Sequence, residues 1–321
     1  MLNRFVNKVK LIMVLALILL VFNTTAFAGE WTNTKENIKF WNEYPFAGTI
    51  FSWDGAKDAE NYANGKGKLT TYIDNEVIEV FSGNMKKGKF QGKATIDIVG
   101  IVIYEGNVVD SKMHGKGSLI WSNGDSYSGQ WQAGMQNGKG IYTWADGTVY
   151  EGDFVDNERT GKGKISWTTG DSYDGSVVKG LRVGYGVYKW KNGDVYSGQW
   201  ANGQQNGKGV YKWQDGTVYE GDFVNDARTG KCKITWKTGD YYTGDIVNGV
   251  QEGKGFFKWN DGTTYDGDWV NGYLHGYGII KWPNGDVYEG EFAYGLMAGY
   301  GIYTYSDGYV EEGYWLNGEP I

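Results

Sequence analysis

Large apolar and small or polar residues alternate with a period of two along most of this chain, and the alternating stretches recur every 23 residues. Tyrosines stand at 104, 127, 150, 173, 196, 219, 242, 265 and 288, each followed two residues later by glycine. Residues 127–149 serve as the type unit, YSGQWQAGMQNGKGIYTWADGTV. Tyr127, Gly129 and Trp131 share one face and Ser128 and Gln130 the other, which predicts a strand with an aromatic and a polar side. Ala133-Gly134 then marks a tight turn, and sister units carry Asn202-Gly203, Asn248-Gly249 and Asn271-Gly272. Asn-Gly tolerates positive φ at both central positions, as a type I′ hairpin requires. A second strand follows to about Trp144, with Gly138, Gly140, Tyr142 and Trp144 on one face and Lys139, Ile141 and Thr143 on the other. Asp146-Gly147 closes it. No segment has a helical period, and no connection is long enough to hold a helix. The pattern predicts an all-β fold: an elongated antiparallel meander of stacked β-hairpins, about 20 strands in all.

Glycine costs conformational entropy in a strand, so its recurrence beside large rings needs a reason. The missing side chains give neighbouring Tyr and Trp rings room to lie against the backbone. One hairpin cannot bury such a face alone, but stacked hairpins can. The ring four positions after each tyrosine (Trp131, Phe154, Trp200, Phe223, Trp269, Phe292) and the series Trp121, Trp144, Trp167, Trp190, Trp213, Trp236, Trp259 and Trp282 are expected to form one continuous aromatic spine. Those eight tryptophans are also the candidate ligand or partner surface, if their rings reach a groove. Residues 127–175 and 196–244 align without gaps at an offset of three units and differ at 14 of 49 positions, the mark of a duplicated block.

The ends read differently. Arg4, Lys8 and Lys10 precede the apolar run Leu11 to Phe22, and Ala26-Phe27-Ala28 follows. That is the pattern of a signal peptide over 1–28, cleaved between Ala28 and Gly29. A run of twelve is short against the roughly 20 apolar residues of a spanning helix. Residues 29–80 hold Trp53-Asp54-Gly55 and Gly65-Lys66-Gly67 out of spacing and read as a degenerate N-terminal cap on the first sheet edge. Phe81 and Gly83 open a weak copy of the unit, so the array is placed at 81–310, with a truncated half repeat at 311–321. The expected location is outside the cytoplasm, whether periplasmic, envelope-associated or secreted. Loss of three cations with the leader takes the net charge from −7 to −10, which argues against a nucleic-acid partner. A single cysteine, Cys232, excludes an internal disulfide.

The combination Tyr-x-Gly-x-aromatic, Gly-Lys-Gly and Asp/Asn-Gly at period 23 resembles the MORN (membrane occupation and recognition nexus) repeat. The resemblance covers roughly three-quarters of the chain after the leader. It departs at Cys232 for the second glycine of its pair, Glu311 for tyrosine, and Ser111 and Asp156-Asn157 in the turns. It implies hairpins stacked into a twisted sheet, and roles as scaffold, dimerisation element or membrane-proximal tether. Phospholipid binding has been proposed for such repeats. The kinase and methyltransferase domains appended to some members have no counterpart here.

Candidate chemistry is sparse. His114 and His275 both fall ten positions after a repeat tyrosine, seven units apart. At about 4.8 Å per strand that is on the order of 65 Å, too far for one metal or catalytic site. Cys232 occupies a glycine position and reads as a small buried replacement. Glu151, Asp153, Glu220, Asp222, Asp266, Asp268, Glu289 and Glu291, with Lys116, Lys139, Lys162, Lys208, Lys231 and Lys254, read as a solvated face with cross-strand charge pairs. A carboxylate pair suited to glycoside hydrolysis would recur many times, whereas an active site is single. No catalytic, cofactor or metal residue is expected. The leading reading is a non-enzymatic binding or scaffolding protein at the cell envelope, engaging a protein partner or itself. The alternative is a glycan- or lipid-binding module using an aromatic groove; a hydrolase is the remote one.

Overall fold

The computed structural model describes residues 29–45 and 47–321. The leader expected over 1–28, with Ala28, lies outside them. All regular structure among the described residues is β, in 27 strands. The excess over the expected twenty lies mainly at the N-terminus, where five strands precede Asp74. The chain divides into two compact units: residues up to Thr168 with Val178–Gly180, and Thr169–Val177 with Leu181–Ile321.

In the first unit β1 (Glu30–Asn33) and β2 (Lys39–Asn42) form a small hairpin, Trp31 opposite Trp41. The main sheet begins with β3 (Ile50–Trp53) and β4 (Ala56–Lys57), both paired with the long β5 (Ala63–Ile73). It continues antiparallel in chain order through β6 (Glu76–Lys86), β7 (Lys89–Ile98), β8 (Val102–Val109) and β9 (Lys112–Trp121) into the repeats. In the second unit the same order runs from Leu181–Lys189 to Glu319–Pro320. That last strand pairs only with Val310–Leu316, and β3 only with β5, so each sheet ends at an edge instead of closing.

The turn chemistry is as the sequence predicts. Ala133 and Gly134 have φ of 51° and 92°, and Asn202 and Gly203 have 51° and 84°. Tyr294 adopts φ 51° where sister units have asparagine, a conformation that costs a bulky residue roughly 1–2 kcal/mol. At Asp146-Gly147 only the glycine is left-handed. There Gly147 N–H donates to Trp144 O, and Asp146 Oδ1 accepts from Thr148 N–H at 2.8 Å.

Each unit is built around its tyrosine. Gly129 and Gly140 face each other across the strands, and the Tyr127 ring covers both. The ring is wholly buried, and its hydroxyl donates to Gln130 O at 2.9 Å. Tyr104, Tyr150, Tyr173, Tyr196, Tyr219, Tyr242, Tyr265 and Tyr288 repeat the bond, each to the carbonyl three residues on. That carbonyl lies at a bulge, where Trp131 pairs with Gln136 although Gly129 pairs with Gly140. The bulge is the geometric reason the hydroxyl finds an acceptor inside the core. The ring four positions on packs edge-to-face, Trp131 against Tyr127 at 5.1 Å, and so does the equivalent ring of the next repeat, Phe154 against Tyr127 at 5.0 Å. Trp131, Trp200 and Trp269 each donate Nε1–H to a glycine carbonyl of the preceding hairpin at 3.1 Å.

A second clasp holds successive hairpins. Asp125 accepts from Tyr142 OH at 2.8 Å and from Ala145 N–H at 2.8 Å. Asp171 does the same with Tyr188 and Lys191, Asp194 with Tyr211 and Gln214, and Asp286 with Tyr303 and Ser306. Where the acid becomes Thr148, Thr217 or Thr263, the residue 17 further on becomes Ile165, Ile234 or Ile280. Hydrogen-bonded and apolar pairs thus replace each other as pairs. Burial would raise the Asp125 carboxyl, but Tyr142, Ala145 N–H and Asn123 outweigh it and hold it below the ordinary aspartate value.

Candidate functional site

The aromatic face has two layers, not the single spine expected. The repeat tyrosines and the rings four positions on are buried. The eight tryptophans Trp121, Trp144, Trp167, Trp190, Trp213, Trp236, Trp259 and Trp282 are all half-buried, because each stands at the last residue of its strand or just past it, where the loop turns. They pack with the second-strand rings. Trp190 contacts Tyr188 at 4.6 Å and Tyr211 at 5.1 Å, and Tyr211 contacts Trp213 at 4.6 Å. Trp236, Phe257 and Trp259 form a similar group, at 5.3 and 4.5 Å. Ile165, Ile234 and Ile280 interrupt the ring series.

Arginine is the component that the sequence reasoning passed over. Besides Arg4 the chain has Arg159, Arg182 and Arg228, and all three occupy the ninth position after a repeat tyrosine. Alternation places that position on the face of the paired glycines, so the signal was present in the strand parity. In the first unit the Arg159 guanidinium lies 4.9 Å from the Trp144 ring. In the second, Arg228 lies 4.9 Å from Trp213, and Arg182 lies 4.3 Å from Trp200 and 5.1 Å from Tyr188. Arg182 also donates to Gly203 O at 2.6 Å. Among the described residues neither Arg159 nor Arg228 forms an ion pair. Burial lowers the pKa of Arg159 and of Arg182 without bringing either near neutrality. Stacking on rings holds these planar cations in place while their edges stay free to donate.

The opposite face matches the sequence reading over most of the array. Lys139–Asp153, Lys208–Asp222 and Lys254–Asp268 pair at 2.7 Å and Lys231–Asp245 at 2.6 Å, each directly across the strands. With the lysines 69–75% exposed, such pairs contribute at most about 1 kcal/mol each. The lysine position becomes Tyr185, Tyr277 and Tyr300 in other repeats of the second unit, and these rings are exposed.

The remaining candidates carry no assembled chemistry. His114 is exposed, and the His275 ring packs 6.0 Å from Tyr294. Cys232 is half-buried, less enclosed than expected: its side chain stands beside Gly221 in a slot that the other repeats fill with two glycines. Burial pushes its thiol up to about 12, so it is not a nucleophile at neutral pH.

A profile of the MORN repeat matches nine consecutive segments, 104–126, 127–149, 150–172, 173–195, 196–218, 219–241, 242–264, 265–287 and 288–308. No curated protein matches the chain. Among solved structures, the TCP10 domain of Danio rerio CPAP, in a mutant form, is 13% identical and covers 69% of this chain and 99% of that domain, with a TM-score of 0.36. The Drosophila melanogaster SAS-4 (dCPAP) TCP domain, solved with a proline-rich motif of Ana2 (dSTIL), is 15% identical, covers 62% of this chain and 83% of that one, and has a TM-score of 0.22. A streptogramin B lyase is 14% identical over 92% and 90%, with a TM-score of 0.14. Likeness at this level carries no information on what this chain binds.

Proposed function

The chain belongs to the MORN repeat family, and from that premise we propose that it is an exported, non-enzymatic scaffold at the cell envelope, whose aromatic face docks an extended, acid-bearing segment of a partner protein. The observation that carries this reading is an arrangement found in each unit by itself, a half-buried guanidinium over a ring and without a carboxylate partner: Arg159 over Trp144 in the first, Arg228 over Trp213 in the second. In a chain of net charge −7, with 38 acidic residues available, unpaired cations among rings are selective for anions supplied from outside. The tryptophans supply flat apolar area for the intervening side chains. Export rests on Arg4, Lys8 and Lys10 ahead of Leu11 to Phe22 and on Ala26-Phe27-Ala28.

Fluorescence titration with a glutamate-containing extended peptide tests the reading, since the tryptophans report directly. Quenching should saturate and weaken with salt, and Arg228→Gln with Arg159→Gln should lower affinity about tenfold or more. An anionic glycan and vesicles of anionic phospholipid form the other arms. A response to these and none to the peptide would replace the protein-partner reading. Equal peptide affinity in the double variant would reject the arginines as its basis.

A further inference from the structure

Glu79 stands two residues before Phe81, the place that Asp125, Asp171, Asp194, Asp240 and Asp286 take before their tyrosines. Four of those aspartates accept from a tyrosine hydroxyl 17 residues on, and all five from a backbone N–H 20 residues on. Glu79 has neither. The residue 17 further on is Ile96, and the N–H of Val99, 20 further on, donates to Ile78 O at 3.1 Å. Thr71 Oγ1 donates to the Glu79 carboxylate at 3.3 Å, a long bond. The environments act in opposite directions at one repeat position. Asp125 is held below the ordinary aspartate value, whereas burial pushes the Glu79 carboxyl up, with Thr71 opposing.

The reason lies in how the N-terminal segment folds. β2 and β3 cross the aromatic face of β6 to β9 and leave a half-enclosed cavity of about 290 Å³. Phe40, Phe51, Phe81, Phe90, Tyr104 and Leu119 wall it, and Glu79 and Thr71 reach into it. This is roughly twice the ~150 Å³ that holds one benzene ring. The other charged groups of the lining are Glu43 and Lys112, and these pair with each other at 2.7 Å. The two phenols of the lining, Tyr44 and Tyr104, are pushed up to about 12, so neither is a charge at neutral pH. The cavity therefore presents one under-bonded carboxyl, seven aromatic side chains and no unspent cation.

We propose that this cavity binds a small amphiphilic amine, its ammonium paired with Glu79 and its apolar body against the phenyl rings. The two parts reinforce each other. A carboxylate in an apolar site repays its desolvation only against a cation, and ring faces attract that same cation. An organic acid would meet like charge, and a neutral alcohol would leave the carboxylate uncompensated. The site shares no residue with the arginine face and stands independently of it.

Calorimetric titration of the purified protein at about pH 8, where Glu79 ionises most readily, tests this with 2-phenylethylamine, 2-phenylethanol and 3-phenylpropionate. The amine should bind about tenfold tighter than the alcohol, and the acid should give no heat. Glu79→Gln should lower amine affinity about tenfold and leave the alcohol unchanged. Absence of amine heat up to about 10 mM, equal affinity for amine and alcohol, or amine binding unchanged in Glu79→Gln would each overturn the proposal.

Discussion

A tyrosine ring lying flat over two glycines leaves no room for a methyl group. A Cβ at Gly140 would fall among the Tyr127 ring atoms, and the facing Gly129 is as tightly covered. Gly140→Ala therefore lacks a cheap relaxation, since ring, hydroxyl and both backbones are all fixed. We expect a loss of about 1–3 kcal/mol in urea unfolding. Cys232 shows what accommodation requires: its Cβ is 2.7 Å from where one at Gly221 would be, so only one of the two glycines has been given up. Titration adds a second residue-level expectation. Asp125, Asp194 and Asp286 have depressed folded values, so their stabilisation is complete above the unfolded value and lost as pH falls through the folded one. Melting temperature should fall between about pH 4 and pH 2, and less steeply in Asp125→Asn. Glu79 has the opposite sign: its raised folded value confers stability at low pH that disappears as pH rises through that value. Glu79→Gln should therefore raise the melting temperature at neutral pH and leave it unchanged in acid.

At the scale of the hairpin the sequence was highly legible. Period two fixed the strands, period 23 fixed the unit, and Asn-Gly fixed the turn, because each is a local steric requirement. The layering of the rings was less legible: strand parity puts Tyr142 and Trp144 on one face but does not say that the loop lifts Trp144 toward solvent. Cation and ring were readable separately, Arg159 from parity and Trp144 from the period, and only their meeting across the intervening strand Val149–Val155 joins them. The Glu79 cavity was not legible, since β2 and β3 reach it from a segment without the period. Phe257 is the exception among the clasp partners. Asp240 faces it and is left with Asn260 N–H at 2.7 Å and Thr238 Oγ1 at 2.6 Å. Phe257→Tyr should restore the missing hydrogen bond and raise stability by about 1 kcal/mol, read as a higher urea midpoint at unchanged m-value.

At the scale of the whole chain, the outer face changes character toward the C-terminus. Lysine–aspartate pairs give way to Tyr277, whose hydroxyl donates to Glu289, and Tyr300, whose hydroxyl donates to Glu312 and whose ring lies 5.5 Å from Tyr314. Tyr314 is 63% and Tyr300 45% exposed, with Leu296 and Leu316 on the same hairpins exposed as well. Contiguous apolar area of this kind marks contact surfaces. We expect concentration-dependent self-association in analytical ultracentrifugation, abolished by Tyr277→Lys with Tyr300→Lys, which would return the surface to the charged form of the earlier repeats. A fixed monomer mass at high concentration would leave the tyrosines without that role. The clasp has a genealogical reading too. The copied stretch 196–244 ends between Asp240 and Phe257, so the joint falls inside a pair whose members belong together. Asp240 matches Asp171 at the offset of 69, whereas Phe257 stands where Asp171 has Tyr188. Joints within residues 143–147, or their equivalents, part no such couple. An aspartate that faces a ring without a hydroxyl thus stands at the edge of the matching blocks, where acid and ring come from different sides of the boundary.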